Sequence, residues 1–294
     1  MKTTCETGLI VPAYAKINLS LDVLRKRSDG YHDLHMVMQQ ISLCDHVHLQ
    51  LTQTPGITLT TNAPYLPTGP GNIAWKAAES LGTLAGMNLS ETGLKISITK
   101  QIPVAAGLAG GSADAAAVLK GLNQLWRLNL SLVELQRIGL QLGADVPYCL
   151  MGGSALAEGI GDKLTPLKLD KPLWVVLVKP GQSVSTRDVY QGLRLDLVAK
   201  RPDNMGLISA MAQGDLKKMS LAMDNVLENV TIAMVPEIKE IKKKLIEYNA
   251  AVSLMSGSGP TVFGLFKDQA KAQGAGSKLG RLYRDVHVAH TIST

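Results

Sequence analysis

Apolar and polar positions alternate through residues 11–23, where Ala13, Ala15, Ile17, Leu19 and Leu21 share one side of a predicted strand and Tyr14, Lys16, Asn18 and Ser20 the other. A lysine on the polar side of a strand is ordinarily solvated. The Asp29-Gly30 pair marks a turn that presents Tyr31 and His32 at a loop end. Two further half-buried strands are predicted over 42–52 and 56–61, the first alternating Val47, Leu49 and Leu51 with His46, His48 and Gln50. Residues 64–71 read as a Pro/Gly loop, after which Asn72 is suited to cap a helix carrying Ile73, Ala74, Ala77, Ala78 and Leu81. Alternation returns in Leu94, Ile96 and Ile98, and an alanine-rich helix follows over 112–126.

Helical periodicity over 132–142 gives way to Gly143-Ala144-Asp145-Val146-Pro147. The proline disfavours helical geometry at Val146, so the helix is expected to end and Asp145 to stand at its C-terminal side, where the helix dipole opposes an acid. A turn-forming aspartate explains the same residue. Residues 152–161 carry repeated turn signals. A buried strand is predicted over 172–179, broken by Pro180-Gly181, with Ser183, Ser185 and Thr186 in the loop beyond. Residues 205–248 read as helix interrupted near Gly214 and Pro236. Strand, small-residue loop and strand follow over 251–266, then a helix over 268–283 and a strand over 286–292. The first half lacks the regular strand-helix alternation of a doubly wound sheet, which makes the fold class α+β.

The stretch with chemistry in it runs from Lys100 to Ala117. Strand, glycine-rich loop and helix come in that order, and glycines 107, 110 and 111 clear side chains from the turn. The helix start beyond them offers unpaired amides and partial positive charge, the make-up of a phosphate cradle. An ordinary turn before a core helix would look similar. No Gly-Lys-Ser/Thr follows, so main-chain amides must do the holding, with the Ser112 hydroxyl as a candidate helper. Nor does a carboxylate stand near position 124–127, as a dinucleotide fold would require; a nucleoside triphosphate fits better. The loop Met255-Ser256-Gly257-Ser258-Gly259-Pro260-Thr261 allows close backbone approach and is read as a buttress for the cradle.

Composition narrows the class. Of 294 residues 46% are apolar and 18% charged, which suits a folded chain with one large or two medium cores, and only 4% are aromatic, which weighs against nucleic-acid binding by stacked rings despite a net charge of +6. Cys5, Cys44 and Cys149 lie far apart, against a disulfide framework or structural zinc site. His46 and His48 share a strand face without a third ligand and read as exposed. No apolar signal core opens the sequence and no run is long enough to span a bilayer, so a cytoplasmic protein is expected.

Lys16 in an N-terminal strand, Pro-x-x-x-Gly-Leu-x-Gly-Gly-Ser at 103–112 and Ser-Gly-Ser-Gly-Pro-Thr at 256–261 together resemble the GHMP kinases, which include galactokinase, homoserine kinase and mevalonate kinase. Ala15-Lys16-Ile17-Asn18-Leu19, Asp29-Gly30-Tyr31-His32 and Gly143-Ala144-Asp145-Val146-Pro147 narrow the resemblance to the branch that phosphorylates a cytidine diphosphate conjugate of methylerythritol. The likeness covers essentially the whole chain. It implies an α+β, two-domain GHMP kinase fold, the N-terminal domain (1–156) like ribosomal protein S5 domain 2 and the C-terminal domain (157–294) ferredoxin-like, with the last strand a candidate to return to the first domain. It further implies that Lys16 and Asp145 are catalytic and that Pro103, Val104, Ala105, Ala106, Gly107, Leu108, Ala109, Gly110, Gly111, Ser112 and Ala113 bind ATP. Asn18, Tyr31, His32, Thr186 and Tyr190 would contact the substrate. Mg²⁺ would arrive with ATP, no dedicated metal site being visible, and the expected partner is a small molecule, with neither nucleic acid nor membrane, the chain being a monomer or homodimer. Where this chain has Ala105 and Ala106 the family often has glycine. Two rivals stay open: another GHMP kinase, which would have no use for the Tyr31-His32 pair, and a nucleic-acid-binding protein on an S5-like fold, which would not need Lys16, Asp145 and the 256–261 loop together.

Overall fold

A computed structural model describes residues 8–89 and 91–293; Cys5 lies outside the described residues. The elements are β1 (Gly8–Lys26), β2 (His32–Thr52), β3 (Gly56–Thr61), α1 (Ile73–Leu84), β4 (Gly93–Thr99), α2 (Gly110–Leu125), α3 (Leu132–Leu142), α4 (Val146–Met151), β5 (Ser154–Gly159), β6 (Lys163–Leu167) and β7 (Trp174–Lys179). They continue with α5 (Thr186–Gly192), α6 (Asn204–Ala212), α7 (Leu216–Ala222), α8 (Glu228–Met234), α9 (Glu237–Glu247), β8 (Val252–Met255), β9 (Val262–Phe266), α10 (Gln269–Leu279) and β10 (Asp285–His290).

The chain forms two compact units that exchange segments. The first comprises the residues up to Ala15, Cys44–Ile102 and Ala109–Met151; the second comprises Lys16–Leu43, Pro103–Leu108 and Gly152 onward. In the first, β4 pairs parallel with β3 and antiparallel with the second part of β2, where Leu49 stands opposite Ile96. Asp45, Val47 and Leu49 are all buried, so the alternation read from sequence extends one step further, onto a carboxylate. Helices α1 to α4 pack against one another, α2 lying close on Leu49 through Gly121, where a Cβ would come within 2.3 Å of a leucine methyl. Asn72 caps α1 by accepting from the Ala74 amide, as its position suggested.

In the second unit the first part of β2 pairs with β5, and β5 with β6. A four-stranded antiparallel sheet, ordered β10-β7-β9-β8, carries α9 and α10. Ile238, Ile241 and Leu245, spaced three and four apart on α9, are buried, and Leu245 rests against Gly264 of β9. The chain end reaches β2, where the Ile292 amide donates to the Gln40 carbonyl at 2.9 Å.

Several expectations need correction. The turn-rich segment 152–161 holds β5 and opens onto β6, its glycines 152, 153, 159 and 161 taking positive φ around the strand. Thr186 begins α5 instead of lying in a loop, because Ser185 caps that helix through the Asp188 amide. The 205–248 region breaks also at 223–227, between α7 and α8. The largest change is at Asp145. Helix α3 does end at Leu142, but a new helix starts at Val146, with Pro147 at its second position, where its missing N–H has no partner to lose. The Asp145 carbonyl accepts from the Cys149 amide at 3.0 Å, so the acid stands at the start of α4, on the favourable side of the dipole.

Candidate active site

β1 is not solvated on its polar side. Lys16 is 5% exposed, Asn18 1% and Ser20 0%. Two residues apart on one face, Lys16 and Asn18 meet: the Lys16 Nζ donates to Asn18 Oδ1 at 2.7 Å and to the Gly107 carbonyl at 3.1 Å. The Lys16 amide also donates to the Leu108 carbonyl at 3.1 Å, so strand and loop are joined through main chain and side chain alike. The Asn18 amide group reaches the Met36 sulfur at 3.3 Å. Further along the same face, Ser20 is hydrogen-bonded to Asn204, whose amide nitrogen lies 2.8 Å from His35 Nδ1.

The loop's path explains its glycine. Gly107 has φ +76, and a Cβ on it would stand 2.2 Å from the Ser256 carbonyl oxygen and 3.1 Å from the Gly259 nitrogen. The 256–261 loop therefore buttresses the 103–108 segment through direct backbone packing, as its small residues suggested. Ser256 Oγ donates to the Gly107 carbonyl at 3.0 Å, and the Thr261 amide donates to the Ala106 carbonyl at 3.4 Å. Ala105 and Ala109 take the left-handed conformation, φ +51 and +57. The loop thus keeps a path that suits glycine while carrying alanine at Ala105, at a cost of roughly 1–2 kcal/mol for such a residue.

A residue that sequence reasoning missed holds the buttress. Asn225, 1% exposed, donates from Nδ2 to the carbonyls of Met255 and Gly257, both at 2.8 Å, and accepts from the Leu227 amide at 3.0 Å. Nothing in an otherwise helical stretch set it apart. We expect Asn225→Ala to lower stability by about 2–3 kcal/mol, since it leaves three buried backbone groups without this partner. Urea unfolding would measure it, and a midpoint equal to wild type would remove Asn225 from this role.

The residues expected to touch an acceptor fall in two groups within the second unit. His32 lies against Tyr190 of α5, ring centroids 5.1 Å apart and tilted by 33°. Burial, then the charge of Lys26, lowers the His32 pKa, which favours the neutral ring with one donor and one acceptor nitrogen. Tyr31 is exposed at the turn, which is fixed by Gly30 at φ +86, by Arg27 pairing with Asp29 and Asp33, and by the Arg27 amide donating to the Tyr31 carbonyl. Thr186 Oγ1 lies 2.8 Å from Ser258 Oγ, tying the start of α5 to the buttress loop.

The remaining candidates belong to the first unit. α2 begins at Gly110, after Ala109, with no side-chain cap for its first amides. Ala113 is buried in its first turn, and Ser112 Oγ lies 4.0 Å from the position a Cβ on Gly143 would take. Asp145 is half-buried before α4. Among the described residues no three His, Cys, Asp or Glu side chains gather to hold a metal ion. No helix among them is long and apolar enough to cross a membrane.

Residues 72–153 match the GHMP kinases N terminal domain and residues 207–285 the GHMP kinases C terminal family. The chain is 52% identical to the 4-diphosphocytidyl-2-C-methyl-D-erythritol kinase of Alkaliphilus oremlandii, over 94% of each chain. It superposes on a crystal structure of 4-(cytidine 5'-diphospho)-2C-methyl-D-erythritol kinase with a TM-score of 0.82 at 33% identity, covering 97% of this chain and 100% of that one. A homoserine kinase from Cytophaga hutchinsonii shares the fold, with a TM-score of 0.77 at 21% identity over 100% of this chain and 96% of that one. With its α+β elements, its buttressed glycine loop and relatives this similar along nearly their whole length, the chain belongs to the GHMP kinases and, within them, to the 4-diphosphocytidyl-2-C-methyl-D-erythritol kinase family.

Proposed function

We propose that the chain moves the γ-phosphoryl group of ATP onto the 2-hydroxyl of 4-diphosphocytidyl-2-C-methyl-D-erythritol, with Lys16 and Asp145 as its catalytic pair. The family makes it a phosphotransferase with an alcohol acceptor, a kinase of isoprenoid precursor synthesis that takes ATP as donor. The observation that carries the residue assignment is the bond from Lys16 Nζ to the carbonyl of Gly107, which fixes a cation to the loop built to receive phosphate.

Phosphoryl transfer asks for alignment, charge stabilisation and a destination for one proton. Amides of residues 103–113 and the start of α2 hold the triphosphate. Lys16 neutralises charge on the transferring oxygens and lowers the pKa of the acceptor hydroxyl, and Asn18 orients it. Asp145 takes the hydroxyl proton as the new oxygen–phosphorus bond forms; the bond from phosphorus to the bridging oxygen breaks and ADP leaves. Mg²⁺ enters on ATP, where it neutralises charge on the phosphates. The division into residues 1–156 and 157–294 follows the two matched family regions, one within each, and differs from the two compact units, the second of which also takes in residues 16–43 and 103–108. A cytoplasmic enzyme acting as monomer or homodimer is part of the same reading.

Tyr31 stacks on the cytosine, and His32, backed by Tyr190, reads its hydrogen-bonding edge, with Thr186 beside them. ADP release should be measured with cytidine and uridine diphosphate conjugates of methylerythritol. Wild type should favour the cytidine conjugate, and His32→Ala should lose about tenfold or more of that preference. No ADP release by wild type with the cytidine conjugate would end the functional reading; full discrimination by His32→Ala would end only the role of the histidine.

A further inference from the structure

Within the first unit lies a buried charge cluster that the proposed chemistry does not use. Lys100, one residue past the end of β4, sends its ammonium to Asp45 of β2 and, at 2.6 Å, to Asp114 Oδ2 on the second turn of α2. Asp45 is 0% exposed and Asp114 4%. Asp45 Oδ1 also accepts from the amides of Gln101 at 2.5 Å and Ile102 at 2.8 Å. Those amides lie past the last paired residue of β4, so no ladder bond would otherwise satisfy them.

Every one of these bonds falls on an end of the loop. Gln101 and Ile102 lead into residues 103–109; Gly110 and Asp114 lead out. The ends also touch: a Cβ on Gly110 would stand 3.1 Å from Ile102 Cγ2 and 3.4 Å from Lys100 Nζ. A cluster of three buried charges is poor economy if stability were its purpose, since apolar side chains of similar size commonly do as well. Burial pushes the Asp114 carboxyl up to about 7 against the pull of Lys100, and among the described residues its Oδ1 has no hydrogen-bond partner. One ammonium held between two carboxylates ties β2, the end of β4 and the start of α2 to one another.

We propose that Lys100, Asp45 and Asp114 are positioning residues for phosphoryl transfer, a charge clamp that closes the base of the 103–109 loop and sets the direction of its amides toward the triphosphate. This rests on the reading of that loop as the ATP cradle. The clamp acts on the donor side alone, so its loss shifts the enzyme's response to ATP and leaves its response to the alcohol unaltered.

The test uses Asp114→Ala and Asp114→Asn in the full chain, each checked for a cooperative thermal melt. ATP binding is followed by calorimetry, and KM is determined separately for ATP and for the cytidine conjugate. Asp114→Ala leaves the Lys100–Asp45 pair in place and should raise KM for ATP by about tenfold while KM for the conjugate stays within about twofold. Asp114→Asn, which keeps the shape and an oxygen for Lys100, should fall between the alanine variant and wild type; it carries the test alone if the alanine variant does not melt cooperatively. Equal ATP binding by wild type and a folded variant, or KM values for both substrates rising in parallel, overturns the clamp and spares the cradle. Wild type that binds no ATP overturns both.

Discussion

Asp145→Asn is expected to bind ATP nearly as wild type does while turnover falls by about 10²–10⁴-fold, the usual worth of a general base. Asparagine matches the aspartate in size, so the start of α4, fixed by the Cys149 amide on the main-chain carbonyl of this residue, should be kept. What is lost is the capacity to accept the proton released as the hydroxyl attacks. Single-turnover measurements with saturating ATP separate this from slow product release, and a rate within about threefold of wild type would exclude Asp145 as base.

The second large effect is expected at Gly107. Any side chain there meets two obstacles: φ of +76, and the Ser256 carbonyl oxygen 2.2 Å from the new carbon. The obstacle is backbone, so it cannot rotate away. The loop must move, and its carbonyl then leaves both Lys16 Nζ and Ser256 Oγ. Gly107→Ala should therefore raise KM for ATP and lower kcat together, at least about tenfold in kcat/KM, since strained backbone of this kind costs on the order of 1–3 kcal/mol before the hold on Lys16 is disturbed. A crystal structure with an unmoved loop, or wild-type kinetics, would contradict the packing described here.

How much of this could be read from sequence depends on how local the cause is. Asn72 capping α1 and the alternation of Val47 and Leu49 act through neighbours in the chain and were legible; the 256–261 loop was legible because its small residues are themselves a local sign of close backbone approach, although what they approach is Gly107. Pro147 was misread because a proline that ends one helix is equally at home near the start of the next, and the short loop between α3 and α4 decides which. Alternation alone makes Lys16 a solvated strand residue, and only its place in the motif set it apart, because its partner Gly107 lies nearly a hundred positions away. Asn225 gave no local sign, because its partners lie thirty residues downstream. Asp45 did give one: it sits on the apolar side of an alternating strand, where a carboxylate needs a buried cation.

The exchange of segments between the two units bears on how such a kinase can be dismantled. A fragment that starts at Gly152 would carry the buttress loop and four-stranded sheet but lack residues 16–43, and with them the Leu21 bridge to Asn225 and the Gln40 bond to Gly153. The complementary fragment would keep a strand whose buried Lys16, Asn18 and Ser20 had lost their cover. Swapping halves at that junction would therefore cut through the second unit's own core, whereas the exposed 27–31 turn could be exchanged with that core left whole.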